Sequence, residues 1–278
     1  MSAEMIDIGE VGSHVSDATS FHLPQFFGHL PELPAFQIAG YEFQITKFMV
    51  LELAVAVILI LMFFPLSWKM RSGRLVKGRF WNLLEAFLLY LRDEVINPSI
   101  GKKAASRYTP FLWTLFFFIL GCNLTGMLPW CGSPTGNLSV TAVLAVVTYL
   151  VVIGGGMIKQ GPFTYWLHQV PKMDLPMVLA IFLKPMILVI EVAGLLIKHV
   201  VLAVRLLANM FAGHVVLAVF LAFIAATADK LVLWIGVTAG CVGMSVALSC
   251  LELFVAFLQA YIFMFLAAIF IGMAQHQH

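Results

Sequence analysis

Arg205 stands in the middle of the apolar stretch VLAVRLLANMFAGH, and Lys184, Glu191 and Lys198 precede it at intervals of seven residues. A guanidinium stays protonated in any protein environment. At the centre of a membrane helix it costs roughly 2.5–3.5 kcal/mol even on the lenient insertion scale. A chain that carries this cost has a use for a fixed positive charge. Seven residues advance a straight helix by only about −20°. The four ionisable groups therefore share one slowly turning stripe, with neighbours about 10 Å apart. Asn209 follows Arg205 by one turn on nearly the same face, whereas His214, nine residues on, points nearly the opposite way. The next apolar segment repeats the interval with Thr238, Ser245, Glu252 and Gln259.

Ionisable groups inside a membrane mark ion or proton pathways. Two helices with one polar seam each, joined by a short turn, form an antiparallel hairpin. If the seams face each other or a shared partner, they make a hydrated path. The plainer use of such groups is to hold helices together, at an average of about 0.6 kcal/mol per contact. That use suits Ser245 and Thr238, and Asn209 and Gln259 fit either. Periodicity argues against it for Arg205, Glu191 and Glu252 taken together. Lys184 and Lys198 can also snorkel to an interface, and His199 is expected to point to solvent or lipid headgroups. His276 and His278 belong to a C-terminal tail. No metal site is expected there, nor among Cys122, Cys131, Cys241 and Cys250, which lack metal-type spacing and read as small apolar fillers.

The elements that position these groups follow from composition. The chain is 62% hydrophobic and 11% charged, with a mean hydropathy of +0.98. Soluble domains carry about 25% charged residues, so a polytopic, all-α membrane protein is expected. Residues 1–46 hold Glu4, Asp7, Glu10, Asp17, Glu32 and Glu42 and no Lys or Arg, whereas residues 67–109 are rich in Lys and Arg. The positive-inside rule places the N-terminal segment outside and the 67–109 loop in the cytoplasm. Orientation alone accounts for that basic loop, so nucleic-acid binding is not implied. The N-terminus lacks the basic and apolar regions of a cleavable signal, and the first apolar segment is expected to direct insertion.

Residues 1–44 read as a polar outer (periplasmic) arm, with short interfacial helices at most, and residues 45–278 as the membrane domain. Spans are expected at 45–66, 110–130 and 137–158, the last ending in Gly154-Gly155-Gly156. Trp68, Lys69 and Arg71 would anchor the first span. Over 75–98, Phe80, Leu83, Leu84, Phe87, Leu88, Leu91 and Val95 recur at three and four, predicting an amphipathic interfacial helix that Pro98 ends. Lys159 and Lys172 flank the next connection. Residues 176–228 and 231–275 are too long for one perpendicular span each. The first would reach about 80 Å as a helix, against a hydrocarbon core of about 30 Å. Each must break in two or tilt steeply.

RLLANMFAGH followed by ELFVAFLQAYIFMFL resembles subunit a of the membrane sector of F-type ATP synthases, with Arg205, Asn209, Gly213 and Gln259 in order and spacing. Glu191 matches an acidic position of the family, and NLTGMLP at 123–129, TGNLSVT at 135–141 and RFWNLLEAF at 79–87 resemble further motifs. The likeness spans about residues 45–275. One departure stands out. Many bacterial members carry a glutamate nine residues after the arginine and a histidine seven before the glutamine. Here the pair is exchanged, as His214 and Glu252, as in mitochondrial-type members, which suggests that the two groups meet in space.

The resemblance implies five membrane-crossing helices, the last two unbroken and strongly tilted as an antiparallel hairpin. It implies a non-catalytic stator subunit in a bacterial cell inner membrane, with a periplasmic N-terminus and a cytoplasmic C-terminus. Its partners would be a ring of c subunits, the b-subunit peripheral stalk, the rest of the synthase and the lipid bilayer. Arg205 would face the ring carboxylates, Glu252 and His214 would relay protons on the outer side, and Glu191 would serve the cytoplasmic side. Asn209 and Gln259 would position Arg205 or water, with Ser245, Lys198 and Thr238 as secondary lining. No cofactor is implied. No GxxxxGK[ST] phosphate loop is present, so nucleotide chemistry would belong to partners. A competing reading is a self-contained proton- or ion-coupled secondary transporter or channel, and a third is a plain membrane anchor. The missing inverted repeat argues against the transporter, and Arg205 argues against the anchor.

Overall fold

The computed structural model describes residues 35–38, 41–71, 78–128, 132–168 and 177–276. Most of the arm at 1–44, part of the loop at 130–136, Lys172 and the side chains of Lys69, Arg71, His214 and His276 lie outside the described residues. The described residues begin with a hairpin, Ala35–Ile38 (β1) antiparallel to Tyr41–Gln44 (β2), with Phe36 opposite Phe43. AFQI and YEFQ alternate large and polar residues at the period of a strand, and the rest of the arm, where the sequence allows short helices, lies outside the described residues.

Helices follow: α1 Lys47–Arg71, α2 Arg79–Tyr90, a π-helical turn Leu91–Ile96, α3 Asn97–Ile100, α4 Lys102–Gly126, a 3-10 turn Pro134–Gly136, α5 Leu138–Gln160, α6 Pro162–His168, α7 Met177–Ala226 and α8 Leu231–His276. Five of them are long and apolar enough to cross a membrane. With only the small hairpin added, this is an all-α membrane protein. Neither α7, at 50 residues, nor α8, at 46, is broken. The turn Thr227–Lys230 joins them through bonds from Ala228 N to Ala225 O and from Lys230 N to Thr227 O. At 1.5 Å per residue both exceed twice the bilayer core thickness, so they cannot stand upright within it. Val189, Ile190, Ile197, Val201 and Val204 of α7 are exposed, as suits a surface solvated by lipid tails or a partner rather than water.

Two local readings change. Pro98 does not end the amphipathic segment; it lies in the first turn of α3, and Gly101, at φ 88°, ends it. Proline clashes with the carbonyl four residues back, and the wider π turn immediately precedes it. Gly154–Gly156 does not end α5, which continues to Gln160. In an apolar surrounding the backbone keeps its helical bonds for want of any other partner.

The chain divides into two compact units. The first comprises Met1–Pro65, Phe117–Thr141 and Arg205–Ala260. Within it Gly121 of α4 lies against Val55 of α1, where an added Cβ would come within 2.6 Å of Val55 Cγ1. Phe63 and Phe117 meet edge to face at 4.9 Å.

The second unit comprises Leu66–Phe116, Ala142–Val204 and Tyr261–His278. Leu84, Leu88, Leu91 and Val95 form its buried stripe, with Phe87 against Phe116 at 5.5 Å. Phe80 and Leu83 of the expected stripe are exposed. Gly155 makes room for Tyr108 and Gln275, Gly156 for the Tyr165 ring, and Gly272 for the Ser99 carbonyl. Gln275 Nε2 donates to Tyr108 Oη and Gly155 O, both at 2.9 Å. Lys159 Nζ and Gln160 Nε2 donate to the carbonyls of Gln275 and Ala274. Those carbonyls are among the last four of α8, which have no partner within the helix, and the lysine charge opposes the negative end of its dipole.

Candidate functional site

In the first unit α7 turns Leu206 and Met210 inward and Arg205 outward. Arg205 is exposed at the protein's own surface and makes no hydrogen bond or ion pair with the described residues. One turn on, Asn209 is half-buried and its Nδ2 has no hydrogen-bond partner among the described residues.

On α8 Glu252 and Gln259 are buried, and Ser245 and Thr238 half-buried. Glu252 rests its carboxylate on the backbone of Gly213, where a Cβ would overlap Oε1 and come within 2.7 Å of Cδ. Glycine at 213 therefore lets the carboxylate lie in the α7–α8 seam. Gln259 Nε2 and Thr238 Oγ1 have no hydrogen-bond partner among the described residues. A buried polar group left so costs about 1–3 kcal/mol, which water or a partner's groups would offset. The arrangement suits a wet seam: a fixed cation at the surface, a carboxylate packed on bare backbone, and amides free to bind water.

The seam has a dry counterpart that sequence reasoning missed. Asn123 of α4 bonds the Ala256 carbonyl of α8, and Thr135 and Ser133 complete a buried chain. The only available signal was a set of polar residues within apolar motifs.

Lys184, Glu191 and Lys198 belong to the second unit, all exposed on α7. His199, expected at the surface, is 2% exposed. Its ring lies 5.3 Å from Tyr149 and 5.1 Å from Phe270, and Nδ1 is 2.9 Å from Leu195 O. The neighbouring Lys198 is exposed, but its Nζ folds back over the same Phe270 ring, 5.8 Å from its centre. No cluster of potential metal ligands occurs among the described residues.

Unbroken apolar helices, a cation offered outward in mid-helix and a carboxylate in the adjoining seam define an integral membrane protein built around charge in its helices. Comparison with known proteins narrows this. Residues 49–272 match the ATP synthase A chain family. The chain is 36% identical to ATP synthase subunit a of Myxococcus xanthus (strain DK1622), covering 94% of this chain and 85% of that one. It is 35% identical to the subunit a of Chloroherpeton thalassium (strain ATCC 35110 / GB-78), covering 94% and 75%. It is 34% identical to ATP synthase subunit a 2 of Chlorobaculum tepidum (strain ATCC 49652 / DSM 12025 / NBRC 103806 / TLS), covering 94% and 71%. The chain belongs to the ATP synthase A chain family, the a subunits of that synthase.

Proposed function

We propose that this chain is the proton-translocating stator subunit of an F-type ATP synthase in a bacterial inner membrane. Arg205 faces the membrane carboxylates of a separate c-subunit ring, and the b-subunit stalk holds the chain against rotation. The observation that carries this reading is the exposed Arg205 in mid-helix, with no hydrogen bond or ion pair among the described residues, in the same unit as Glu252 on Gly213. A guanidinium in a low-dielectric slot favours the charged form of an approaching carboxylate. A ring carboxylate must therefore release its proton to pass, and protons cannot run straight between the two aqueous entrances. Each proton crossing contributes about 2.3 kcal/mol per 100 mV, so several must cross for each nucleotide made by the partner subunits.

Glu252 and His214 take up protons from the outer face, and Asn209 and Gln259 hold water beside Arg205. Ser245 and Thr238 line the same seam. Glu191 and Lys198, nearer the cytoplasmic end of α7 by the positive-inside orientation, serve the other half-channel. The chain binds no nucleotide and carries out no bond chemistry itself.

The test is ATP-driven proton pumping by the reconstituted synthase carrying Arg205→Ala. Pumping is expected to be abolished while ATP hydrolysis by the partner subunits persists. Normal coupled pumping by that variant would remove the reading.

A further inference from the structure

The buried hydrogen-bond chain of the first unit has a direction, and the proposed function above gives it no role. Ser133 Oγ lies 2.7 Å from Thr135 Oγ1, Thr135 Oγ1 donates to Asn123 Oδ1 at 2.7 Å, and Asn123 Nδ2 donates to Ala256 O at 3.1 Å. All three side chains are buried, at 3%, 0% and 0% exposure. A hydroxyl has one hydrogen. Thr135 gives its hydrogen to Asn123, so Ser133 must be the donor to Thr135. A carbonyl cannot donate, so the nitrogen of Asn123 must face Ala256 and its oxygen Thr135. Every link thus has one polarity, from the loop after α4 toward α8.

Ser133 is packed against α4. Gly126, three residues after Asn123, has no Cβ, and the vacated space holds Ser133 Oγ at 2.7 Å and Met210 Cε at 2.9 Å from where that Cβ would be. The far end of the chain is equally specific. Ala256 follows Glu252 by four residues and precedes Gln259 by three, so it stands on the turns between them. Nor can the chain conduct. It ends on a backbone carbonyl, which has no proton to pass on, and an amide holds its hydrogens.

We propose that Asn123 is a positioning residue for proton uptake. It grips α8 by the Ala256 carbonyl, and Thr135 and Ser133 hold its amide in the orientation that lets it donate. This holds the Glu252–Gln259 stretch in register with the seam on α7. The proposal rests on the stator reading above.

The experiment uses the reconstituted synthase and measures proton flux as the pH on the outer face is varied, normalised to assembled complex. Asn123→Asp keeps the size and the bond from Thr135 but sets a carboxylate oxygen against the Ala256 carbonyl. It is expected to slow uptake by about tenfold, the scale at which small misplacements near a reacting group act, and to move the pH of half-maximal flux. Thr135→Val is expected to give the same shift more weakly, and Thr135→Ser to restore the parent profile. That rescue uses the hydroxyl alone and does not depend on Asn123→Asp assembling. An unchanged rate and pH profile in assembled Asn123→Asp would overturn the proposal. So would a Thr135→Ser profile as altered as that of Thr135→Val. Arg205→Ala measured alongside separates the two claims. If it still pumps, the stator reading fails; if it does not and Asn123→Asp behaves as the parent, only the positioning role fails.

Discussion

The two units treat buried polar groups in opposite ways. In the second, Gln275 donates to both Tyr108 and Gly155, and Lys159 and Gln160 occupy the terminal carbonyls of α8. In the first, Asn209 Nδ2, Gln259 Nε2 and Thr238 Oγ1 have no hydrogen-bond partner among the described residues. A satisfied network stabilises one arrangement and excludes water, whereas an unsatisfied set is costly unless water or another chain completes it. Membership of the ATP synthase complex, in which other chains or water can meet these groups, accounts for one unit keeping such a cost. Two groups in the second unit resist a clean division: Trp113 Nε1 and His199 Nε2 also have no hydrogen-bond partner among the described residues. The first unit also holds a completed polar chain, Ser133–Thr135–Asn123, which ends on α8 between Glu252 and Gln259.

The sharpest way to break the comparison is to fill the seam without unfolding it. At Gly213 an added methyl would first meet the Glu252 side chain, overlapping its carboxylate and crowding Cγ at 3.1 Å, and that end is flexible and can leave. Gly213→Ala is expected to leave the assembled complex intact and to slow proton uptake from the outer face by about 10–100-fold, on the scale of a misplaced reacting group. Gly213→Val should do more. Passive proton flux through the membrane sector, measured per assembled complex, checks this. Parent-like flux in Gly213→Ala would mean that the Glu252 position is not used.

The opposite result is expected in the second unit. Gln275→Leu leaves the Tyr108 hydroxyl and Gly155 carbonyl without their donor, and Lys159→Met removes the cation at the α8 terminus. Each lost buried bond is expected to destabilise by about 1–3 kcal/mol. Thermal unfolding of the detergent-solubilised complex should fall accordingly. Pumping per surviving complex should remain that of the parent. A pumping defect without a stability defect would erase the distinction between the units.

Helix existence and the polar intervals were legible because 3.6-residue periodicity and hydropathy are local. The limits of α7 and α8 follow from where the apolar runs stop. Which side of a helix faces inward was not legible. Lys198 and His199 are neighbours that both reach Phe270, yet only the histidine is buried, with Tyr149 on its other side. Glycine meaning was also hidden: Gly155 and Gly156 look like a break but provide space for Tyr108, Gln275 and Tyr165. The Asn123–Ala256 bond joins residues 133 apart in sequence, and no pattern within a single segment encodes it. Gly213 was noticed only as a motif letter, since the room it gives Glu252 exists only once two helices meet.

The smallest effect belongs outside both polar clusters, at the exposed pair Arg92–Asp93 on the π turn, 2.9 Å apart. Asp93 also accepts from Asn97 Nδ2 at 3.0 Å. The hydrogen bond from Arg92 holds the Asp93 carboxyl below the usual carboxylate range and raises the Arg92 guanidinium. A carboxylate with a depressed folded pKa adds stability above its unfolded pKa of about 3.9, and that stability is lost as pH falls through the folded value. The window is therefore acidic, below the neutral range in which proton transport is measured. Solvent screens the pair as well. Asp93→Asn should leave the thermal midpoint at pH 7 and the pH profile of pumping unchanged, with a small difference only on acidification. A pumping profile displaced near neutral pH would show that this turn senses protons, and the contrast would then have to include a third region.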